Sequence, residues 1–320
     1  MSDKAIVVTG GAGYIGNYVV HNLLEHNFKV VIIDDFSNSS MSQVNPRALC
    51  MEGDFADKNV WRTIIAQRTP VAVIHLAAYI DVTESFEKPE QYLENNAQKT
   101  DALLSILHEH NITNLIFAST SGVYGNAADV PVTEQTPAHP ENPYAVSKHA
   151  AEHMIERAHE KLGLNAIIFR FFNCCGSLPE VGIVPHIHSS LFSQIRKCVH
   201  KDIAELLVYG NQFPTKDGTC IRDFVHVNDI ARCCIGALQY ITTTPGVYEV
   251  INIGTGTGFS VQEVINQAKD VLGIDFPVRY VEPRKDEVVV SVASNEKLRR
   301  VLGISLNYSD LNNLIKTSLQ

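Results

Sequence analysis

The stretch Lys4-Ala5-Ile6-Val7-Val8-Thr9-Gly10-Gly11-Ala12-Gly13-Tyr14-Ile15-Gly16 decides the fold. Its first half is short, continuous and rich in β-branched residues, which is typical of a strand buried in a parallel sheet. Glycines recur every third residue, at Gly10, Gly13 and Gly16, and a helical pattern runs on to Leu24. At such a junction the amide groups and the helix dipole face an anion, and glycine lets the backbone approach it. The stretch therefore predicts the pyrophosphate-binding turn of a dinucleotide site.

An acidic pair, Asp34-Asp35, follows the next strand, which is predicted over 29–33. An acid at the tip of the second strand can accept hydrogen bonds from both hydroxyls of an adenosine ribose, and it would repel a 2′-phosphate. We therefore expect NAD rather than NADP, with Asp34 on the ribose.

Three further strands are predicted over 49–53, 71–75 and 114–118, and helical segments over 90–110 and from 143 onward. This alternation predicts an α/β fold with a doubly wound parallel (Rossmann) sheet. In the C-terminal part of the chain, helices are predicted over 261–272 and 295–302.

Strand tips of such a sheet gather at one ligand-binding edge. Asp54-Phe55 could there flank an adenine, although a surface turn fits nearly as well. Small residues in Leu76-Ala77-Ala78 would let a cofactor pass close to the backbone, while His75 is interpreted as a packed strand-end residue. Thr120 is placed for a hydroxyl that bonds a substrate oxygen.

A second motif, Pro143-Tyr144-Ala145-Val146-Ser147-Lys148, puts a tyrosine and a lysine on one helical face. Lowering a phenol pKa by about 3 units needs about 4 kcal/mol, which a desolvated Lys148 and a cationic cofactor could supply together. Tyr144 would then be a base for a sugar or alcohol hydroxyl. Because this spacing also occurs by chance on amphipathic helices, the rest of the chain must support the interpretation.

The adjoining stretch His149-Ala150-Ala151-Glu152-His153 matches a zinc-peptidase pattern. It shares its helix with Tyr144 and Lys148, on an adjacent face. We therefore expect no metal, and interpret these residues as a solvated or subunit-facing side of the helix.

The composition is that of a soluble globular protein, with 45% apolar and 19% charged residues among 320. No apolar run has the length of a membrane span, and the first residues lack a signal pattern. Seven cysteines without a Cys-x-x-Cys disfavour a disulfide framework and favour a cytoplasmic location. The net charge of −9 argues against nucleic-acid binding.

The chain resembles the UDP-galactose 4-epimerase family of the extended short-chain dehydrogenase/reductase superfamily. Nearly the whole chain takes part, in the family's order, and the resemblance is carried by Thr9-Gly10-Gly11-Ala12-Gly13-Tyr14-Ile15-Gly16, Val73-Ile74-His75-Leu76-Ala77-Ala78, Ser119-Thr120, Val123-Tyr124-Gly125, Pro143-Tyr144, Ser147-Lys148, Arg170-Phe171-Phe172-Asn173, Gly218-Thr219, Arg222-Asp223-Phe224-Val225-His226-Val227, Asp229, Asn252-Ile253-Gly254 and Pro283-Arg284.

The resemblance implies that Tyr144 is the base and acid, that Lys148 holds the nicotinamide ribose, and that Thr120 supplies a second hydroxyl. The expected cofactor contacts are Gly10, Gly13, Tyr14, Ile15, Gly16, Asp34, Asp54, Phe55, Leu76, Ala77, Ala78, Asn96, Tyr144, Lys148 and Phe171. The expected contacts of a UDP-sugar substrate are Thr120, Tyr144, Asn173, Tyr209, Arg222, Arg284 and Asp286.

Three positions depart from the family. Ile80 stands where many members have a lysine. The segment after Arg284 is shorter, which leaves the acidic contact between Asp286 and Glu287, and Ser291 or a neighbour stands where a large residue often closes the sugar pocket. A roomier pocket would admit N-acetylated sugars.

The implied activity is NAD-dependent, reversible 4-epimerisation of a UDP-hexose such as UDP-galactose. Alternatives within the superfamily are a UDP-pentose or UDP-uronate 4-epimerase, a 4,6-dehydratase and a decarboxylase. Dehydratases carry Asp-Glu after the hydroxyl residue, where this chain has Ser121-Gly122. A non-catalytic NAD-binding regulator is the more distant alternative, since it would not need Tyr144 and Lys148.

The expected organisation is an NAD-binding domain over 1–172, rejoined by 224–254, and a smaller C-terminal α/β substrate lobe over 173–223 and 255–320. By resemblance alone, a homodimer is expected through the helices near 90–110 and 144–162.

Overall fold

The computed structural model of the chain describes residues 3–183, 190–284 and 287–319. The strands in these ranges are β1 (Lys4–Thr9), β2 (Val30–Asp34), β3 (Leu49–Glu52), β4 (Thr69–His75), β5 (Asn114–Thr120), β6 (Asn165–Phe171), β7 (Asn173–Cys175), β8 (Leu206–Tyr209), β9 (Ile221–His226), β10 (Tyr248–Ile253), β11 (Gly258–Ser260), β12 (Val278–Val281) and β13 (Val290–Ser291). The helices are α1 (Tyr14–Glu25), α2 (Lys58–Gln67), α3 (Val82–Glu87), α4 (Pro89–Leu93), α5 (Lys99–Glu109), α6 (Pro143–Leu162), α7 (Leu191–Val199), α8 (Val227–Thr243), α9 (Val261–Leu272), α10 (Glu296–Leu302) and α11 (Leu311–Leu319).

The first compact unit, Met1–Val123 with Asn142–Arg170 and Ile230–Ile251, is built on a seven-stranded sheet in the order β3-β2-β1-β4-β5-β6-β10. Strand β1 pairs in parallel with both β2 and β4, so the strand order reverses between β1 and β4. Ligands of doubly wound sheets bind at the carboxyl ends of the strands beside such a reversal. The predicted doubly wound parallel sheet is confirmed.

The continuous apolar character of β1 and β2 reflects burial on both faces of the sheet, since all five residues of β2 are buried. Trp61 of α2 is also fully buried, and its indole nitrogen donates to the carbonyl of Phe55 at 2.8 Å. Side chains of this size each contribute roughly 1.5–3 kcal/mol when buried. This core fixes the sheet edge on which the candidate site lies.

The helix predicted over 90–110 is divided into α4, a π-helical turn at Glu94–Gln98, and α5. Such turns occur frequently at functional sites. The turn buries Asn96, whose carbonyl accepts a hydrogen bond from the Thr100 hydroxyl at 2.8 Å. The π-helical turn therefore directs the Asn96 side chain into the protein, which regular helical periodicity does not predict.

Helix α6 has clear local start and stop signals. The Asn142 side chain accepts from the Ala145 amide at 2.8 Å, Pro143 stands in the first turn, and Gly163 ends the helix in the left-handed region. Tyr144 is thereby placed in the first turn and Lys148 one turn later. Neither α6 nor another helix of the described ranges is long and apolar enough to cross a bilayer.

The second compact unit comprises Tyr124–Glu141, Phe171–Asp229 and Asn252–Gln320. Its sheet has the order β11-β9-β13 with β7 also on β9, and β8 pairs with β12. A separate core, which includes Phe192, Phe224 and Val264, is formed between these strands and α7, α9 and α11. Helix α9 has the predicted bounds, and α10 begins one residue after the predicted start.

The segment Tyr124–Glu141 belongs to the second unit, whereas the expected boundary assigned it to the NAD-binding domain. Within that unit the Tyr124 hydroxyl donates to Asn252 Oδ1 at 2.6 Å, and Asn252 Nδ2 donates to the Val132 carbonyl at 3.1 Å. These long-range bonds explain the difference. The assignment of a binding function to each domain stays a prediction.

The glycine turn generates a stability prediction. Gly10 and Gly163 have similar positive φ angles of 68° and 71°, but a Cβ on Gly10 would lie 2.7 Å from the Ala77 nitrogen, while a Cβ on Gly163 would have no heavy atom within 4 Å. We expect Gly163→Ala to lower the free energy of unfolding by about 1–2 kcal/mol. Gly10→Ala should cost about 1–3 kcal/mol more, because of overpacking. Thermal and urea unfolding of both variants measure the difference, and equal losses would contradict the steric argument.

Candidate active site

The glycine turn brings three backbone segments together. A Cβ on Gly16 would lie 2.1 Å from the Gly10 oxygen, so only glycine lets α1 start this close to the turn. Gly13 is the N-cap of α1 and has no side chain to cap it, and Tyr14 and Ile15 follow half-buried in the first turn. A close backbone approach at a helix N-terminus fits a pyrophosphate.

Asp34 lies at the tip of β2 and is 8% exposed. Its Oδ2 accepts from the Ala12 amide at 2.9 Å, while its Oδ1 accepts from the Phe36 amide at 3.0 Å and the Ser39 hydroxyl at 2.8 Å. A carboxylate has about four acceptor positions, so one remains for a ribose hydroxyl. The glycine turn and this carboxylate together fit NAD.

Asp54 and Phe55 follow β3. The Asp54 carboxylate forms an ion pair with Lys99 Nζ at 2.6 Å, and its other oxygen accepts from the Ala56 amide at 2.8 Å. The Phe55 ring is buried in the core with its centroid 4.7 Å from that of His75. Phe55 is therefore a core residue in the structure, and an adenine contact by this pair stays a prediction.

The ends of β4 and β1, which meet where the strand order reverses, are linked by hydrogen bonds. Thr9 lies opposite His75 in the paired strands, and the two side chains are hydrogen-bonded at 2.6 Å. The Leu76 amide donates to the Thr9 carbonyl at 3.1 Å, and the segment to Ala78 is half-buried. Burial, with the nearby Lys148 charge, lowers the pKa of His75 to about 3, so His75 is a neutral packed residue.

Asn96 was expected near the cofactor. Its Oδ1 accepts from the Tyr79 amide at 2.8 Å and from Asn95 Nδ2 at 3.2 Å, and its Nδ2 donates to the Tyr79 carbonyl at 2.9 Å and the Ser147 hydroxyl at 3.0 Å. An amide has two donors and two acceptor positions, and all four are engaged. The geometry therefore supports a role in holding α6, and a contact of Asn96 with the cofactor stays a prediction.

Thr120 and Tyr144 are hydrogen-bonded through their side chains. Thr120 Oγ1 also accepts from the Gly122 amide at 3.1 Å, which fixes the hydroxyl at the tip of β5. Burial raises the pKa of Tyr144 to about 12, although the Thr120 hydrogen bond acts in the opposite direction. The protein groups around the phenol therefore keep it protonated, and the expected lowering depends on the contribution of a cationic cofactor, which stays a prediction.

Lys148 is 2% exposed, and its Nζ lies 4.1 Å from the centroid of the Phe117 ring. Burial lowers the pKa of Lys148 to about 7, although the Glu152 charge acts in the opposite direction. A lysine that titrates near neutrality can hold a proton or release it at little cost. The structure thus places, one turn from Tyr144, a lysine whose charge can change near neutral pH.

Glu152 is held by its own partners. Arg170 Nε and Nη2 donate to its two oxygens at 3.1 and 2.6 Å, and the Ser119 hydroxyl donates at 2.5 Å. Burial opposes ionisation, but hydrogen bonds from His149, Arg170 and Ser119 outweigh it and lower the pKa of Glu152 to about 2. Glu152 is therefore a buried structural carboxylate, which is not the catalytic glutamate of a zinc peptidase.

The other expected contacts lie in the second unit and are described separately. Phe171 is buried at the end of β6, and Asn173 is exposed at the start of β7. Arg284 is exposed and its guanidinium lies 4.1 Å from the centroid of the Tyr209 ring, so the two expected substrate residues contact each other. Such stacking orients a guanidinium and leaves its edge for oxygen acceptors.

Arg222 lies on β9, with Nη2 2.6 Å from Glu287 Oε1 and Nη1 donating to the Ile221 carbonyl at 2.9 Å. Asp286, the expected acidic contact, lies outside the described residues. Its alternative, Glu287, is placed beside an expected substrate-binding arginine. The identity of the acidic contact therefore stays a prediction.

Sequence reasoning did not assign Ser147, Glu152 or Arg170 to the site. All three stood in quoted motifs, but their partners lie 51, 33 and 18 residues away in sequence. Among the described residues no group of three or more His, Cys, Asp or Glu side chains is placed to hold a metal ion.

Comparison with known proteins identifies the class to which this fold and site belong. The profile of the NAD dependent epimerase/dehydratase family matches residues 6–254. The chain belongs to this family.

Two curated relatives are named UDP-glucose 4-epimerase. That of Streptomyces lividans is 36% identical, with 97% of this chain and 94% of the relative covered. That of Lacticaseibacillus casei is 35% identical, with 98% and 95% covered.

Solved structures are similar over the same extent. A UDP-glucose 4-epimerase from Stenotrophomonas maltophila, with bound NAD and formylated UDP-arabinopyranose, has a TM-score of 0.94 at 30% identity, covering 98% of this chain and 96% of that chain. The enzyme from Bifidobacterium longum, in complex with NAD⁺ and UDP, has a TM-score of 0.92 at 30% identity, covering 98% and 97%.

Lys148 generates a prediction for stability against pH. Its pKa of about 7 in the folded chain lies below the ordinary 10.5, so the unfolded chain binds more protons between these values and burial of Lys148 costs most at pH 7 and below. We expect Lys148→Met to raise the free energy of unfolding by about 1–4 kcal/mol at pH 6.5. This gain should shrink as the pH rises to 9. Urea unfolding across this pH range measures it.

Lys161 is exposed near the end of the same helix and provides the matched control. Lys161→Met should change stability by less than about 0.5 kcal/mol at each pH. A destabilised Lys148→Met protein at pH 6.5 would show that the buried ammonium is fully compensated in the fold.

Proposed function

We infer that this chain catalyses the NAD-dependent, reversible 4-epimerisation of a UDP-hexose, with UDP-galactose and UDP-glucose as the pair. The observation that carries the proposal is the Thr120–Tyr144 hydrogen bond, one turn from buried Lys148, on a sheet edge that also carries the glycine turn. The UDP-glucose 4-epimerase relatives over almost the whole chain support it.

In the proposed mechanism Tyr144 would lose its proton when the cationic cofactor is bound beside it, and the phenolate would then take the proton of the sugar 4-hydroxyl, with the Thr120 hydroxyl orienting the phenolate and the substrate oxygen. NAD supplies the hydride acceptor and donor at carbon 4. The glycine turn would hold its pyrophosphate, Asp34 its adenosine ribose and Lys148 the nicotinamide ribose. After the 4-keto sugar turns over, Tyr144 returns the proton, so the reaction is redox-neutral over a cycle.

The nucleotide would be bound by Arg222, Arg284 and Tyr209, with Glu287 as the acidic contact. Arginine suits this role because its planar fork binds phosphate oxygens in pairs, and a protein of net charge −9 needs fixed local cations for a diphosphate. We propose that Glu287 holds Arg222 until a nucleotide is present.

The dehydratase alternative is disfavoured by the turn after β5. Gly122 donates its amide to Thr120 Oγ1, so the segment Ser121–Tyr124 serves to hold the hydroxyl and provides neither an acid nor a base. A cofactor-binding regulator would not need a protonatable lysine buried beside a tyrosine.

We further propose a cytoplasmic homodimer. None of the seven cysteines, all of which lie within the described residues, is in a disulfide, which suits a reducing compartment. Val146 and Leu162, near the two ends of α6, are 45% and 43% exposed apolar side chains that a partner could cover. Light scattering after size exclusion tests the dimer.

The catalytic prediction concerns Tyr144→Phe. Incubation of purified protein with UDP-galactose and no added cofactor should yield UDP-glucose, measured by chromatography. Removal of the phenol hydroxyl should lower kcat about 10²–10⁴-fold, because the proton transfer is lost.

Tyr92→Phe is the control, since the Tyr92 ring centroid lies 6.5 Å from that of Tyr144 while its hydroxyl bonds Glu84 instead. It should retain most of the activity. Absence of turnover in the wild type, even with added NAD⁺, would overturn the epimerase proposal. UDP-glucuronate, UDP-xylose and dTDP-glucose would then be the substrates to test.

Substrate range is the subject of a further prediction. Ser291 lies on β13 opposite Arg222 of β9, and the resemblance places a large residue near this position. We propose that the small side chain admits UDP-N-acetylgalactosamine. Ser291→Tyr should lower kcat/KM for the N-acetylated sugar at least about 10-fold more than for UDP-galactose. Equal effects on both substrates would refute the role of Ser291.

A further inference from the structure

Two histidines on the outer face of α6 are placed as a pair of metal ligands would be. His149 and His153 are one turn apart, with their Nε2 atoms 3.1 Å from each other and their ring centroids 4.3 Å apart. Two nitrogens that each lie about 2.1 Å from one zinc ion are about 3.0–3.4 Å apart at angles between square and tetrahedral. The two Nε2 atoms thus already have the separation expected of neighbouring ligands of one zinc ion.

Each ring has a carboxylate at its other nitrogen. His153 Nδ1 lies 3.4 Å from Glu156 Oε2, and a carboxylate at Nδ1 favours the tautomer that leaves the Nε2 lone pair as the ligand. His149 Nδ1 lies 3.5 Å from Glu152 Oε2 and is buried without a closer hydrogen-bond partner among the described residues, so the nearby carboxylate leaves the His149 ring free to present its Nε2 lone pair. A metal ion between the two Nε2 atoms would be bound by both lone pairs.

The pair is partly preorganised by the core. Glu152 is fixed by Arg170 and Ser119, and the His149 side chain is only 24% exposed. His153 is 60% exposed, so an ion can reach the pair from solvent. The pair thus has one largely buried and one accessible ring, and a carboxylate orients the accessible one.

We propose that His149 and His153 bind one divalent transition metal ion of the zinc class. Imidazole nitrogen suits zinc, copper, nickel and cobalt, and not the oxygen-preferring calcium and magnesium. The remaining positions are filled by water or by groups of a second copy of this chain. The site differs from a zinc-peptidase centre, because Glu152 is bound to Arg170 and cannot activate a water molecule. The proposal departs from the expectation from sequence that this face holds no metal.

The test uses untagged, full-length protein that has been treated with a chelator and then titrated with Zn²⁺ by calorimetry. Co²⁺ absorption spectra report nitrogen ligation in parallel. The wild type should bind one Zn²⁺ per chain, and His149→Gln and His153→Gln should each weaken the affinity at least about 10-fold. Glu156→Gln should weaken it about 10-fold through the orienting contact alone.

His26→Gln is the matched control, because His26 is an exposed histidine at the C-cap of α1 whose ring bonds the Asn22 carbonyl. It should bind Zn²⁺ as the wild type does. Circular dichroism and metal-free epimerase assays of His153→Gln, which lies outside the proposed catalytic groups, establish that the variant is folded.

A stoichiometry of one ion per two chains that is lost in both histidine variants would also support the proposal, with ligands shared between copies. Absence of Zn²⁺ binding, or an affinity unchanged in both variants, would overturn it. His149 and His153 would then form only a hydrogen bond with each other.

Discussion

The burial of Lys148 against the Phe117 ring, one turn from a Glu152 that is already bound to Arg170, is the constraint on which the site depends. A buried ammonium with a dedicated carboxylate would remain charged at neutral pH. Here burial lowers the pKa of Lys148 to about 7, and the charge of Glu152, whose oxygens are bound by Arg170, opposes that effect only in part. The arrangement keeps the lysine able to change its charge, at a cost in stability that the rest of the core must offset.

A continuous chain of hydrogen bonds sets the position of Tyr144 relative to this lysine. Because Thr100 donates to the Asn96 carbonyl, His75 must donate to Thr100 and accept from Thr9. In the first part of the chain the Ala77 amide donates to Thr9, Thr9 to His75, His75 to Thr100, and Thr100 to the Asn96 carbonyl. In the second part the side-chain amide of Asn96 donates to Ser147, and Ser147 donates to the Tyr144 carbonyl. The π-helical turn makes this chain of bonds possible, because it directs both the backbone carbonyl and the side chain of Asn96 towards hydrogen-bond partners. His75 can accept from Thr9 because burial lowers its pKa to about 3 and so keeps the ring neutral.

The strand, glycine turn and helix were predictable because they depend on local rules. Continuous apolar residues, the spacing of Gly10, Gly13 and Gly16, and the start of α6 at Asn142 and Pro143 each act within a few residues. The spacing of Tyr144 and Lys148 likewise gives a shared face without knowledge of the fold. What could not be predicted is how the partners are shared. No local pattern shows that the side-chain amide of Asn96 is fully hydrogen-bonded within the protein, that Phe55 packs in the core, or that Glu152 is paired with Arg170.

The same distinction explains the two kinds of cation in the proposed mechanism. The proposed reaction needs a nucleotide held firmly while the 4-keto sugar turns over, so its arginines should be oriented before binding and should not exchange protons. Arg222 on Glu287 and Arg284 on Tyr209 meet that requirement, because a guanidinium stays charged and each is already supported by a side chain. Lys148 differs from these arginines, because its pKa of about 7 lets its charge change beside Tyr144, which moves the proton in the proposed mechanism. The proposed mechanism thus uses arginines that stay charged for the diphosphate, and a tyrosine beside a buried lysine for the proton transfer.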